Sequence, residues 1–163
     1  MELKHGLLIL GACIFLFGGV LLFANSRSAA VDTSNLTTRE LAHTCVKHGS
    51  MISFHIHPVL SIVANGERQE IPTEVGITPT CMKAVHTHTP DGVIHIETGA
   101  PRDFTLSDFF AVWEKPFSKD QVLDFKADAS HRIRMTVNGQ EVDTFENTVL
   151  RDQDQIVILY ETI

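Results

Sequence analysis

No stretch of basic residues interleaved with aromatics occurs in this chain, and that absence removes nucleic acid from the expected partners. Also missing are a Gly-rich phosphate loop, a nucleophile elbow and paired carboxylates at glycosidase spacing, so three common routes to catalysis have no foothold here. Methionine is scarce, four in 163 residues. Copper(I) handling by soft thioether ligands is thereby disfavoured. Cysteine is scarcer still, at three. Cys13 falls inside an apolar run, where a thiol is inert. Cys45 and Cys81 are left to pair with each other if the domain is exported, since an oxidising compartment favours a disulfide. The rival reading makes Cys81, five residues before His86, a thiolate ligand of a copper site.

That apolar run is the one long hydrophobic segment. Residues 6–24, GLLILGACIFLFGGVLLFA, carry no charge over nineteen positions. The length approaches the roughly 20 residues needed to cross a bilayer core and exceeds the roughly 7–15 of a signal-peptide apolar region. A single transmembrane helix is expected, with Lys4 before it and Arg27 after it giving a weak bias toward an inside amino terminus. Ser28-Ala29-Ala30 offers the alternative of signal cleavage after Ala30. Either way, residues 1–30 form an anchor or signal segment with its spacer, and residues 31–163 form a domain outside the cytoplasm. Removing Lys4, Arg27 and Glu2 from the 13 basic and 20 acidic residues leaves residues 31–163 a formal charge of −8. So acidic a surface argues against docking on anionic lipid; contact with membrane lipid would come from the hydrophobic segment alone, with a membrane protein as a further possible partner. Some 130 residues suffice to bury a core without staples.

The pattern of that domain predicts an α+β fold made mainly of antiparallel strands. A short helix is expected within residues 37–48, capped by Thr37 or Thr38. Ile52, Phe54 and Ile56 then alternate with Ser53, His55 and His57 up to Pro58, as a strand does. Asn65-Gly66 and Asn138-Gly139 are strong hairpin signals. Both lie in a strand, Asn-Gly, strand arrangement at an offset of 73, which suggests two related β units, each closed by an apolar strand at 93–96 or 156–159. Between them Thr105-Leu106-Ser107-Asp108 has the form of a capping box, with Leu106, Phe109, Phe110 and Trp113 at helical spacing. One buried helix is expected over 105–113. Residues 118–121 are expected to cap a further helical turn holding Val122 and Leu123.

What the chain has in abundance is histidine at period-two spacing. His55-Ile56-His57, His86-Thr87-His88 and His95-Ile96-Glu97 fall within 43 residues. A strand sends alternate side chains to one face, so each pair presents two donors side by side. Two imidazoles so held, joined by a third from a neighbouring strand, are the frame of a zinc or copper site, and imidazole does not suit calcium or magnesium. Isolated pairs of this kind are most often a solvated strand face; three of them at one spacing are not scattered as that reading requires. The metal ligands are therefore expected to be His55, His57, His86, His88 and His95. Glu97 is the candidate catalytic base, with the roles of ligand or imidazole-orienting partner also open. Five histidines and a carboxylate leave room for two metals or one fully closed site. His43, His48 and His131 lack a spacing partner and are expected to be ordinary solvated or satisfied histidines.

Convergence depends on the turn at 89–92. A type I turn with a bulged Gly92 would set His86 and His88 opposite Ile94 and Ile96. A register pairing His88 with Val93 instead gathers His86, His88, His95 and Glu97 on one face, and segregates them from Val85, Thr87, Ile94 and Ile96. The second register is expected, because separating polar from apolar is the stronger constraint when one face is buried. Asp91 at the turn tip is expected to serve the turn itself.

Phe54-His55-Ile56-His57, Cys81, His86-Thr87-His88, the run Gly92-Val93-Ile94-His95-Ile96-Glu97 and the run from Phe104 to Phe110 together resemble a small family of exported microbial proteins. The resemblance covers roughly residues 50–115. It implies that these positions act as a group, and it implies no reaction. The chain departs from the family pattern at Thr89, where an acidic residue is usual, and at Ser107, where glycine is usual. Two uses of the metal are therefore expected to compete: holding or delivering zinc or copper, and hydrating or hydrolysing a small substrate through a metal-bound water. A third expectation is an accessory subunit of a membrane complex whose histidines are incidental.

Overall fold

The structure, a computed structural model, describes residues 33–46 and 51–163. The expected membrane segment and His48 lie outside the described residues. Among the described residues no helix is long and apolar enough to cross a membrane.

Helix α1, Thr38–Ala42, opens the described chain. Thr37 caps it by accepting from the Glu40 backbone N–H, while the Glu40 carboxylate accepts from the Thr37 backbone N–H. The helix is shorter than the sequence suggested, because after His43 the chain turns to lay Cys45 beside Lys83 as an isolated bridge. Cys45 and Cys81 are joined in a disulfide, so Cys81 is no thiolate ligand.

Seven short strands follow: β1 Phe54–Ile56, β2 Val59–Ala64, β3 Glu67–Gln69, β4 Ile77–Thr78, β5 Cys81–Met82, β6 Val85–His86 and β7 His95–Thr98. Pro58, which has no N–H to donate, marks the point where the strand leaves one sheet for another. On its amino-terminal side β1 joins a three-stranded antiparallel sheet in the order β1-β7-β6. On its carboxy-terminal side β2 enters a five-stranded sheet.

Helix α2, Leu106–Trp113, lies where the periodicity placed it. The Asp108 carboxylate accepts from the Thr105 backbone N–H at 2.9 Å, and its other oxygen accepts from Arg39 Nε of α1 at 3.0 Å. One buried carboxylate thus caps one helix and pins the other. Leu106, Phe109, Phe110 and Val112 face the core, and α2 packs against β6. Gly76 sits in that contact at φ +76; a Cβ there would come 2.6 Å from the Val85 carbonyl oxygen and 2.8 Å from Val112 Cγ1.

Beyond α2 the expected capped turn at 118–121 is instead a miniature sheet of β8 Phe117–Ser118, β9 Gln121–Val122 and β10 Phe125–Lys126. Then come β11 His131–Val137, β12 Gln140–Val142, a single 3-10 turn at Phe145–Asn147 and β13 Gln155–Thr162. The large sheet runs β12-β11-β13-β2-β3, antiparallel except where β13 and β2 pair in parallel. Both Asn-Gly turns form, with φ positive at both residues of each, as a two-residue primed turn demands. They flank β13 on either side. The two closing strands part company: β13 sits at the centre of the large sheet, β7 at the centre of the small one.

One core lies under both sheets and α2. Leu60, Ile62, Met135, Ile156 and Ile158 contribute from the large sheet; Ile56, Val85, Ile94 and Ile96 contribute from the small one. Each such side chain, fully buried, stabilises the fold by about 1.5–3 kcal/mol relative to exposure. The apolar face of β1-β7-β6 is therefore committed inward, and what remains for its other face is the histidines.

Candidate metal centre

Across the small sheet the registers are set by two pairings. β6 and β7 place Val85 opposite Ile96 and His86 opposite His95. This is the register in which His88 falls opposite Val93, the one that separates polar from apolar side chains. The turn between the strands is built for it. Asp91 Oδ1 accepts from Thr89 Oγ1 at 2.8 Å and from the Val93 N–H at 3.1 Å. Gly92 takes φ +90 and lies so close to β2 that any Cβ would collide with the Leu60 carbonyl oxygen.

On the other side β1 and β7 pair Phe54 with Thr98, His55 with Glu97 and Ile56 with Ile96. The same antiparallel alignment holds at the Val59–Val93 bridge, which sets His57 opposite His95. His57, His95 and His86 thus stand in a row across three strands, and His55 and His88 lie one step along their own strands. Ring centroids are 4.3 Å apart for His55 and His57 and 4.7 Å for His57 and His95. They are 5.3 Å apart for His86 and His95, and 4.7 Å for both His88–His95 and His86–His88. All five histidines singled out in the sequence meet.

Two groups of three could hold a metal ion, each with its donor atoms within 4.8 Å of one another: His86, His88 and His95, and His55, His57 and His95. In the first, His86 is wholly buried and its Nδ1–H donates to the Lys83 carbonyl oxygen at 2.8 Å. That assignment of the proton leaves the Nε2 lone pair facing His88. His88 Nε2 lies 3.1 Å from it. Two nitrogens bound to one tetrahedral zinc at about 2.0–2.1 Å would stand about 3.3–3.4 Å apart. Without an ion the two share a hydrogen bond, His88 Nε2–H donating to His86 Nε2, and their spacing is nearly that of two ligands of one ion. Nδ1 of His95 is buried with no hydrogen-bond partner among the described residues. A buried ring nitrogen so left costs about 1–3 kcal/mol unless an ion or a proton-bearing group meets it.

Burial holds His86 and His95 neutral. Desolvation pushes the His86 imidazole down to about 4, against the stabilising pull of the Lys83 carbonyl, and neighbouring imidazoles add to the depression. His95 is likewise pushed down to about 4, first by desolvation and then by His86, His88, His57 and His55. Neutral imidazole is the form that ligates.

Glu97 is 8 % exposed and its Oε1 stands 3.1 Å from His55 Nε2. A carboxylate against the far nitrogen of an imidazole fixes which nitrogen is free, here Nδ1. His57 has a counterpart that sequence spacing did not disclose. Asp152, in the turn before β13, accepts from the His57 backbone N–H at 2.9 Å, and its Oδ1 lies 3.7 Å from the ring Nδ1. Neither Asp152 nor the Lys83 carbonyl carries a local signal; a search for acidic residues in turns abutting the His57–Pro58 break would have found the first. His43 is exposed, and His131 pairs with Asp128 at 3.1 Å and stacks on Tyr160; both stand apart from the cluster.

Comparison of the chain with family models, curated proteins and solved structures gives no match, so its chemistry is read from this geometry alone.

Proposed function

We propose that this chain is a metal-binding protein that holds zinc(II) or copper(II) on the polar face of its small sheet, with His86, His88 and His95 as ligands and His55 and His57 beside them. The observation that carries the reading is the approach of His86 Nε2 to His88 Nε2 at 3.1 Å, with the ring of His95 within 5.3 Å of both rings and its buried Nδ1 without a hydrogen-bond partner among the described residues. The disulfide takes Cys45 and Cys81 out of the ligand set, and an all-imidazole set favours the harder oxidation states. The disulfide also supports a place outside the cytoplasm, and the apolar segment at 6–24 supports tethering to the membrane. Holding or delivering the ion is preferred over catalysis because Glu97, the one candidate base, is engaged with His55.

Elemental analysis of the full chain, purified in detergent without an immobilised-nickel step, tests the reading. Stoichiometric zinc or copper is expected, and the exposed His88 replaced by Ala should lower affinity by more than the roughly 10–100-fold typical of an outer partner. A chain that retains no transition metal after incubation with either ion would leave the histidines as a polar surface.

A further inference from the structure

His95 belongs to both groups of three, and its position explains how. It stands on β7, the middle strand, with His55 and His57 contributed from the β1 side and His86 and His88 from the β6 side. Among the described residues the donors do not form one group of five: they come within 4.8 Å of one another as two sets of three that share only His95. A lone pair on one nitrogen serves one ion. An imidazole has two nitrogens on diverging directions, and the buried Nδ1 of His95 has no hydrogen-bond partner among the described residues.

Each flank also has its own outer support. His86 is fixed by the Lys83 carbonyl, His55 by the Glu97 carboxylate, and His57 lies beside the Asp152 carboxylate. Outer partners that orient a ring and choose its free nitrogen accompany metal ligands as a rule. A flank that was mere surface would have no use for a carboxylate that is nine-tenths buried, as Glu97 is.

We propose that the sheet holds two divalent metal ions, one at His86 and His88 and one at His55 and His57, bridged by the ring of His95 through its two nitrogens. The inference rests on the metal-binding reading above and adds a second site to it. As the second ion binds, the remaining N–H bond of His95 breaks, its electron pair forms the bond to the ion in place of a bound water, and the proton passes to solvent water; the ring becomes an imidazolate and no oxidation state changes. The ring keeps the ions farther apart than the roughly 3.5–4 Å of two-metal sites with oxygen bridges, but couples them electronically. Each ion would have three imidazoles and an outward position: His55, His57 and His88 are all open to solvent on that face.

Copper(II) alone is the probe. The full chain in detergent is stripped with chelator, loaded with copper(II), freed of excess, and measured for bound copper per chain and for its electron paramagnetic resonance. The expected result is two copper ions per chain with most of the low-temperature signal lost to antiferromagnetic coupling. Loading one copper and one zinc should restore the full signal per copper. Changing His55 and His57 together to Ala, both half-exposed and outside the core, should lower the copper content from two to one and leave that one uncoupled. Two ions with undiminished signal would overturn the bridge. One ion in the unmodified chain would overturn the second site while leaving the metal-binding reading standing, and none would overturn both.

Discussion

At the scale of single residues, the free nitrogens of His86 and His55 are chosen by what touches their far side, the Lys83 carbonyl and the Glu97 carboxylate. Glu97 is the most direct test of that idea. Glu97→Gln keeps the size and a hydrogen-bonding end beside His55 but removes the charge. It should weaken binding of the second zinc, on the His55 and His57 side, by about 10–100-fold with the circular dichroism spectrum unchanged, as measured by competition with a chromophoric chelator. An unchanged affinity would make the contact incidental. The pH dependence of the metal-free chain follows from His86 and His95, whose folded-state values lie near 4 against an ordinary 6.5. Between those values the unfolded chain takes up protons that the folded chain refuses. Stability is therefore full above about pH 6.5, falls as pH drops toward 4, and stops falling from this cause below it. Urea midpoints measured from pH 7.5 to 4 check the sign. The five histidines that meet were legible in the sequence because period-two spacing is a property of the strand itself. Asp152 was not, since the turn that brings it to His57 is fixed by β13 lying parallel to β2, a pairing between segments far apart in the chain. The Lys83 carbonyl was not legible either, because every residue has one.

At the scale of elements, the strands that matter are short and their register does the positioning. That register could be read in advance because β6 and β7 have one buried face: Val85 and Ile96 must share it, so His86 and His95 share the other. Helix α2 was equally readable, from its apolar spacing and from Asp108 three residues after Thr105. The strands of residues 117–126 were not, because two-residue strands show no periodicity and Ser118 to Gln121 has the composition of a helix cap as well as of a turn. The disulfide belongs at this scale too. Cys45–Cys81 ties the segment after α1 to β5, just ahead of the histidine strand, across a sequence separation of 36. Replacing both cysteines by Ser should lower unfolding free energy by about 2–4 kcal/mol, read from denaturant titration, while metal stoichiometry stays the same. Loss of the metal at intact fold would show that a sulfur serves the site after all.

For the whole molecule, the two sheets divide the work. The five-stranded sheet, with its long central β13, places Ile156, Ile158 and Tyr160 in the core with Leu60, Ile62 and Met135. The three-stranded sheet spends its apolar face on that same core and presents the histidines on the other. Twin Asn-Gly hairpins placed at an offset of 73 both form, but β7 and β13 go to different sheets, so the likeness between the halves ends where the site begins. The claim on which the rest depends is that histidines from β1, β6 and β7 share metal. X-ray absorption at the zinc edge of the zinc-loaded chain tests it most directly. The account predicts a first shell of nitrogen and oxygen alone at about 2.0–2.1 Å, with the outer-shell scattering of several imidazole rings. A first shell containing sulfur at about 2.3 Å, or one of oxygen without imidazole scattering, would contradict it.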